Sequence, residues 1–168
     1  LNLENATATV RYEVNGINYT RTVFSSFSDN VIMVRLEADK SKALSFSLSY
    51  DSPLKSAVTV KGRKLLVRCE GAEHEGIPAA MHAECRVEVK TDGVQNTADK
   101  QLVIKDATTA TIYISAATNF VNYRDVSADA SKRAENYLKA AVRKPYETSL
   151  AAHVSLYKKQ FDRVSFSL

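Results

Sequence analysis

The stretch ATATVRYEVNGINYTRTV, residues 6–23, decides the fold class, because apolar and polar side chains alternate on both sides of an Asn-Gly pair. Alternation with a period of two residues is typical of a β-strand with one buried face. The Asn-Gly pair tolerates the positive φ angles of a type I′ turn, and with the pair at its centre Val14 faces Ile17. Tyr12 then faces Tyr19, so both strands direct their apolar residues to one side. The stretch therefore predicts a β-hairpin.

Further short runs of strand-forming residues follow this hairpin, separated by turn residues such as Gly62 and Asp92-Gly93. The predicted strands are Val31–Ala38, Ala43–Tyr50, Ala57–Lys61, Lys64–Glu70, Met81–Lys90, Gln101–Lys105 and Thr109–Ala116. Many short strands at even spacing are typical of an antiparallel β-sandwich. We therefore predict a mainly β fold with a sandwich over residues 1–127.

The period of the apolar residues changes from two to about 3.6 after Ala128, which predicts two α-helices near the C-terminus. Asp129 or Ser131 can cap the first helix, and Pro145 suits the first turn of the second. The final residues, Val164–Leu168, alternate again. The sequence thus predicts a helical linker segment over residues 128–160 and a returning strand over residues 161–168.

The composition excludes two classes of partner. Charged residues number 23 basic and 19 acidic, giving a net charge of +4, and the two signs are interspersed rather than gathered into a basic stripe, so we expect no nucleic-acid partner. No apolar run approaches the roughly 20 residues of a membrane span, so we expect none. The chain starts at Leu1 without the pattern of a signal peptide, so we expect a processed or excised piece.

Both cysteines and two of the three histidines lie between residues 69 and 85. Structural zinc sites use two closely spaced ligand pairs, and the spacing here matches no such arrangement, so no metal site is predicted. Strand alternation instead places Cys69 and Cys85 on the apolar face of two paired strands. A register that pairs Glu70 with Arg86 makes the thiols diagonal neighbours, a geometry in which a disulfide is not favoured.

Two loops hold the candidate binding residues. His74 lies between two glutamates, where it could act as an acid or base. It could equally lie at a solvated loop tip with no catalytic role, and we favour this second interpretation. Asn119, Asn122 and Tyr123 precede the first helix, and asparagine and tyrosine suit hydroxyl-rich ligands as well as turns and domain contacts. His153 lies on the apolar stripe of the second helix, where a packing role is expected.

The order of four segments resembles the N-terminal region of glycoside hydrolase family 95, the α-L-fucosidases. The segments are the long β stretch over residues 6–54, "EHEGIP" at 73–78, "AATNFVNYRDVSAD" at 116–129 and the C-terminal 144–168, ending in "FDRVSFSL". The resemblance covers nearly the whole chain. It implies a non-catalytic β-sandwich whose partner is a downstream (α/α)6 catalytic barrel in the same protein.

The resemblance also implies that the parent enzyme is inverting and that its substrate is a fucosylated glycan or one bearing a related sugar such as L-galactose. The catalytic carboxylic acid and the water-holding asparagine and aspartate belong to the barrel, so neither a catalytic residue nor a cofactor is predicted here. The implied setting is bacterial and extracytoplasmic, either periplasmic or secreted. Family members have further strands upstream of the position matched by Leu1. Without those strands a sheet edge would be open, and it could pair with the same edge of a second copy to form a homodimer.

Two alternatives stay open at this point. The chain could be a carbohydrate-binding module, although it lacks tryptophan and has only 8% aromatic residues, whereas sugar-binding sandwiches display aromatic platforms. It could also be the same domain from a related glycoside hydrolase or a glycoside phosphorylase.

Overall fold

The computed structural model describes residues 1–165 and contains ten strands followed by two helices. The strands are β1 Ala8–Val14, β2 Ile17–Ser25, β3 Val31–Ala38, β4 Leu44–Leu48, β5 Ser56–Lys61, β6 Lys64–Glu70, β7 His82–Thr91, β8 Val94–Ala98, β9 Gln101–Ala107 and β10 Thr109–Thr118. The helices are α1 Ala130–Val142 and α2 Tyr146–Phe161. The prediction of a mainly β chain with two helices near its C-terminus is confirmed.

Two antiparallel sheets form the sandwich. The larger has seven strands in the order β1-β2-β3-β10-β7-β6-β5, and the smaller has three in the order β4-β9-β8. Their facing sides share one core of mostly branched aliphatic side chains. Its buried members are Ala38, Leu44, Leu65, Val67, Cys69, Val87, Val89, Leu102, Ile104, Ala107, Ala110 and Ile112.

The β1–β2 hairpin has the predicted register. Val14 pairs with Ile17 across the turn, and Asn15 has a φ of 53° while Gly16 has a φ of 69°, as a type I′ turn requires. Tyr12, the next residue along this face, pairs with its counterpart on β2, and the two rings stack with centroids 5.2 Å apart. The local sequence alone therefore specifies this element.

The two helices cover the other side of the seven-stranded sheet and form a second core there. Asp129 caps α1 by accepting a hydrogen bond from the Lys132 N–H at 2.8 Å, whereas Pro145 lies just before α2 rather than in its first turn. The second core joins the sheet to both helices through Phe24, Val31, Met33, Tyr113, Leu138 and Ala141, with Leu150 packed against it.

The acidic residues of β7, Glu84 and Glu88, are largely buried, although strand alternation places them on the polar face. Helix α1 packs over β7 and β10, and Glu135 of α1 forms ion pairs with Arg86 at 3.3 Å and Lys64 at 2.8 Å. Lys64 also pairs with Glu88 at 3.6 Å. Helix α1 therefore buries a polar strand face and supplies the opposite charge to its basic residues. Strand periodicity cannot show such a contact.

The register of β6 against β7 corrects one prediction. Cys85 lies opposite Val67, and Glu70 lies opposite His82 rather than Arg86. Relative to a direct pairing of Cys69 with Cys85, the strands are shifted by two residues in the direction opposite to the expected one. The thiols are still diagonal neighbours, and both cysteines are free. The observed shift is favoured because it also brings Lys64 opposite Glu88, a pairing that the predicted register did not consider.

Strand β8 was not predicted, because its sequence VQNTA is polar and forms an exposed edge of the small sheet. Gly93 in the preceding turn has a steric role, since a Cβ there would stand 2.5 Å from the Lys105 carbonyl oxygen and 2.7 Å from the Ala107 Cβ.

The C-terminal end of the chain is partly outside the described residues. Helix α2 extends to Phe161 and a turn follows at residues 162–163, so the predicted returning strand over 161–168 does not begin at Phe161, and its residues 166–168 lie outside the described residues. Within residues 1–165, no helix combines the length and apolar character that a membrane crossing needs.

Candidate functional site: the loop end of the sandwich

Three connections lie at the same end of the seven-stranded sheet: residues 26–30, residues 71–81 and residues 119–129. We call this end the loop end. The antiparallel ladders bring them together, because β6 pairs with β7 up to Glu70 and His82, next to Thr118 at the end of β10. The four predicted binding residues lie in the second and third connections. The fold therefore gathers into one region two segments that are more than 35 residues apart in the sequence.

Asn119 is a structural residue of the loop end. Its side chain is buried, with 4% exposure, and its Oδ1 accepts a hydrogen bond from the His82 N–H at 2.9 Å. Its Nδ2 donates to the carbonyl oxygens of Ala80 and Val126, both at 2.9 Å. These bonds join residues 71–81 to residues 119–129 and leave the amide little capacity for a ligand.

Replacing Asn119 with alanine is expected to lower the free energy of unfolding by about 2 kcal/mol, because three hydrogen bonds at a buried position are lost. Hydrogen exchange at residues 71–81 should accelerate in the same variant. Chemical denaturation and exchange mass spectrometry measure the two effects. Asn122→Ala is the matched control, since that exposed side chain accepts only the Arg124 N–H at 2.9 Å; equal losses in both variants would contradict the assigned role.

Asn122 and Tyr123 form the tip of the third connection. The backbone of Asn122 exchanges two hydrogen bonds with Asp125 across a tight turn, and the hydrogen bond from Ser127 holds the pKa of the Asp125 carboxyl below its ordinary value. The Tyr123 ring is 83% exposed, and the Arg124 guanidinium carbon lies 5.0 Å from its centroid. Of the three residues predicted here, Tyr123 presents the largest open surface.

His74 lies at the tip of the second connection. A two-residue turn closes between His74 and Ile77, with Glu75 at a φ of 50° and Gly76 at a φ of 78°. The His74 side chain is 89% exposed, and its Nε2 lies 4.0 Å from a Glu75 carboxylate oxygen. A general acid or base needs a fixed position against its substrate, and this geometry does not provide one in the described chain.

Apart from Tyr123, the exposed apolar side chains at the loop end were not named as candidate residues in the sequence. We call this group the apolar end, and it consists of Leu54, Ile77, Met81, Phe120, Val121 and Tyr123. Their exposures range from 37% for Met81 to 83% for Tyr123. The available signal was that each of them except Met81, which the sequence placed in a predicted strand, lies in a connection where neither strand nor helix periodicity explains an apolar residue.

The loop end offers contact surface rather than a pocket for chemistry. A shallow cavity of about 150 Å³ lies beside Leu54, Cys69 and Met81, below the 300–1,000 Å³ typical of small-molecule sites. Within residues 1–165, no group of three or more histidine, cysteine or acidic side chains converges as a metal site would require.

Known proteins with similar sequence or structure fit this architecture. Residues 1–123 match the family model "Glycosyl hydrolase family 65, N-terminal domain". Alpha-L-fucosidase 2 of Arabidopsis thaliana is 29% identical over 194 aligned residues, which cover 100% of this chain but only 23% of the plant protein. A protein described as a kojibiose phosphorylase from the human microbiome has the same fold, with a TM-score of 0.56 and 14% identity, over 94% of this chain and 22% of its own.

The chain thus spans about a quarter of the length of each of these relatives. Its strand-rich region is the part that the family model describes, and the prediction that it is the N-terminal sandwich of a glycoside hydrolase is confirmed. The chain belongs to the family of glycosyl hydrolase family 65 N-terminal domains.

Proposed function

We propose that this chain is the non-catalytic N-terminal domain of an α-L-fucosidase-like enzyme of glycoside hydrolase family 95 and that it supports a downstream (α/α)6 catalytic barrel. The observation that carries the proposal is the full-length alignment of the chain with 23% of Alpha-L-fucosidase 2. The proposed enzyme hydrolyses fucosyl linkages in glycans by an inverting mechanism. It belongs to a bacterium and works outside the cytoplasm.

The arrangement of acidic residues at the loop end agrees with a supporting role. Inverting glycosidases place two carboxyl groups about 6.5–9.5 Å apart across the substrate. Asp29 is instead bound to Lys144, and Asp125 is bound to Ser127. Glu75 lies on the exposed turn beside His74. In this proposal the catalytic carboxylic acid and the water-holding asparagine and aspartate belong to the barrel.

The test compares the full-length protein with a version that lacks residues 1–165. We expect the full-length protein to release fucose from fucosylated oligosaccharides without added phosphate, with inversion at the anomeric carbon seen by NMR. We expect the shortened version to lose most of this activity. A strict requirement for phosphate would instead identify a phosphorylase, and full activity of the shortened version would exclude a supporting role.

A carbohydrate-binding module is the second candidate, favoured only by the exposed Tyr123 ring. Aromatic side chains of this kind stack on sugar rings. Titration calorimetry of the full-length protein with fucosylated oligosaccharides, before and after Tyr123→Ala, distinguishes the two roles. Loss of one saturable binding event in the variant would support the module, and unchanged binding would remove it.

We also propose that the open edge of the seven-stranded sheet pairs with a second copy of the chain. Within residues 1–165, strand β1 ends this sheet and bonds only to β2, and Val10, Tyr12 and Val14 on it are about half exposed. Exposed apolar edge strands readily add another strand. Light scattering should find a dimer that Val10→Lys converts to a monomer; a wild-type monomer would exclude the pairing.

A further inference from the structure

The turn between β5 and β6 places two lysines directly opposite each other. It reads Lys61-Gly62-Arg63-Lys64, and Lys61 pairs with Lys64 at the last position of the ladder. Both side chains therefore lie on the face of the sheet that carries α1, where Lys64 donates to Glu135. Like charges at directly opposed positions destabilise a strand pair. An anion between the two side chains would remove this repulsion.

Helix α1 supplies one carboxylate to three basic side chains beside this turn. Glu135 lies 2.8 Å from the Lys64 Nζ, 3.3 Å from an Arg86 nitrogen and 3.3 Å from the Lys139 Nζ. Glu88 on β7 lies opposite Lys64 and is 3.6 Å from its Nζ. A carboxylate has two oxygens, so Glu135 cannot accept all the N–H groups of three cations. Net positive charge remains around it.

Two of the basic side chains have donors that the fold leaves unused. The Arg86 guanidinium contacts Glu135 through one Nη and Ser131 through the other, whereas its buried Nε has no hydrogen-bond partner among residues 1–165. Buried donors without a partner are rare in folded proteins, and an unmodelled ion or water is one explanation for them. Lys61 likewise forms no ion pair with any residue that the structure describes.

A surface cavity of about 400 Å³ lies among these groups, and we call it the basic cavity. It is lined by Lys61, Lys64, Leu66, Arg86 and Glu135. Its volume lies within the 300–1,000 Å³ that is typical of ligand sites. Three of its four charged side chains are basic, and a concave site dominated by one sign of charge concentrates the electrostatic potential on an ion of the opposite sign.

Another cavity on the same edge strand provides a comparison. It also has a volume of about 400 Å³ and lies beside Val58 and Val60 of β5. Its charged residues are Asp99 and Lys100, whose charges cancel. The excess of basic side chains is therefore a property of the basic cavity and is not shared by every cavity of this size. Lys100 also supplies a matched control position for mutagenesis.

We propose that the basic cavity binds a tetrahedral oxyanion, carried either by a sulfated sugar or by free inorganic phosphate or sulfate. Ammonium and guanidinium groups bind such anions through charge-assisted hydrogen bonds. Lys61, Lys64 and Arg86 stand on the three neighbouring strands β5, β6 and β7, so they can meet one anion from different sides. A tetrahedral oxyanion offers at least three oxygens to these three groups, whereas a carboxylate offers two. The site does not depend on the fucosidase activity proposed above.

The experiment titrates the full-length protein by calorimetry with galactose 6-sulfate, inorganic phosphate and inorganic sulfate, and with galactose as the uncharged control. It compares the wild type with Lys61→Met and with the control Lys100→Met. Both positions are exposed lysines that border a cavity of the same volume. We expect saturable binding of an oxyanion probe to the wild type and to Lys100→Met, and affinity at least about tenfold weaker in Lys61→Met.

Hydrogen exchange locates the bound probe on the chain. Saturating oxyanion should slow exchange at residues 61–66 in the wild type and in Lys100→Met but not in Lys61→Met. Exchange in β10 without any probe should be the same in all three proteins, because Lys61 is exposed and its replacement leaves both cores intact. The tighter ligand among galactose 6-sulfate and the inorganic ions identifies the source of the oxyanion.

Three results would overturn the proposal. The first is that none of the oxyanion probes binds saturably. The second is that Lys61→Met binds them as tightly as the wild type, which would place the binding elsewhere in the protein. The third is that Lys100→Met loses as much affinity as Lys61→Met, or that galactose binds as tightly as its sulfate, because the cluster of basic side chains would then not be the cause.

Discussion

Replacing Lys144 with methionine is expected to lower the free energy of unfolding by about 3 kcal/mol at pH 7. Lys144 forms an ion pair with Asp29, whose side chain is only 1% exposed. Removing one member of such a pair leaves a buried, uncompensated charge. The hydroxyls of Ser26 and Ser28 still donate to Asp29, at 2.9 and 3.0 Å, which keeps the loss at the lower end of the usual range. Urea denaturation measures it.

The loss should depend on pH. Burial by itself raises the pKa of the Asp29 carboxyl, but the hydrogen bonds from Lys144, Ser26 and Ser28 outweigh it and hold the pKa below its ordinary value. A lowered native pKa stabilises the fold above the unfolded pKa of about 3.9, and this contribution disappears as the pH falls through the native value. Without Lys144 the carboxyl takes up a proton at higher pH, so the difference in stability between the two proteins should narrow as the pH falls and should close only below the lowered native pKa of Asp29.

Lys158→Met is the matched control for this prediction. Lys158 is as exposed as Lys144, 44% against 43%, but its partner Asp162 is 54% exposed. Exposed pairs of this kind contribute at most about 0.5 kcal/mol. A loss in the control equal to that of Lys144→Met would show that burial of Asp29 is not the cause.

Replacing His153 with alanine is expected to lower the free energy of unfolding by about 3 kcal/mol. The ring is 2% exposed and stacks on Phe24 with centroids 4.9 Å apart. Its Nδ1 accepts the Phe27 N–H at 3.2 Å, which makes Nε2 the atom that donates to the carbonyls of Asn5 and Ala6. The change therefore combines a cavity with unpaired backbone groups at three residues in two segments.

Thermal and chemical denaturation of two further variants separates the loss of packing from the loss of hydrogen bonds and provides a control. His153→Phe keeps an aromatic ring against Phe24 but loses the hydrogen bonds, so it should recover about half of the loss. His74→Ala, at an exposed histidine, should change stability by less than about 0.5 kcal/mol. Equal stability of His153→Ala and the wild type would contradict the joining role assigned to this side chain.

The elements of this fold follow from local sequence wherever one face of a strand or helix is apolar. The Asn-Gly turn, the strand Val31–Ala38 and the buried stripe of α1 were all predictable, because period and turn chemistry act over a few residues. Strand β8 was missed for the same reason, since a polar edge strand carries no such pattern. His153 was expected to be a packing residue, and it is one.

The candidate site was predictable only in part. The sequence drew attention to Asn119, Asn122 and Tyr123 by residue type. Residue type could not show that the side chain of Asn119 is fully hydrogen-bonded within the fold, whereas the ring of Tyr123 is exposed to solvent. Ile77 and Phe120 were not singled out as a pair, because 43 positions separate them. The connections that carry them lie at one end of the sheet only through the pairing of β6, β7 and β10.

The sequence by itself determined the strands other than β8, the hairpin register, the helices and the resemblance to a glycoside hydrolase sandwich. Only the tertiary structure decided which face of the large sheet lies under the helices, the shift of β6 against β7 and the grouping of the apolar end. The physical reason is the range of the interactions. Turns and periodic burial are local, whereas ion pairs such as Glu135 with Arg86, and the meeting of distant loops, depend on strand pairing over long separations.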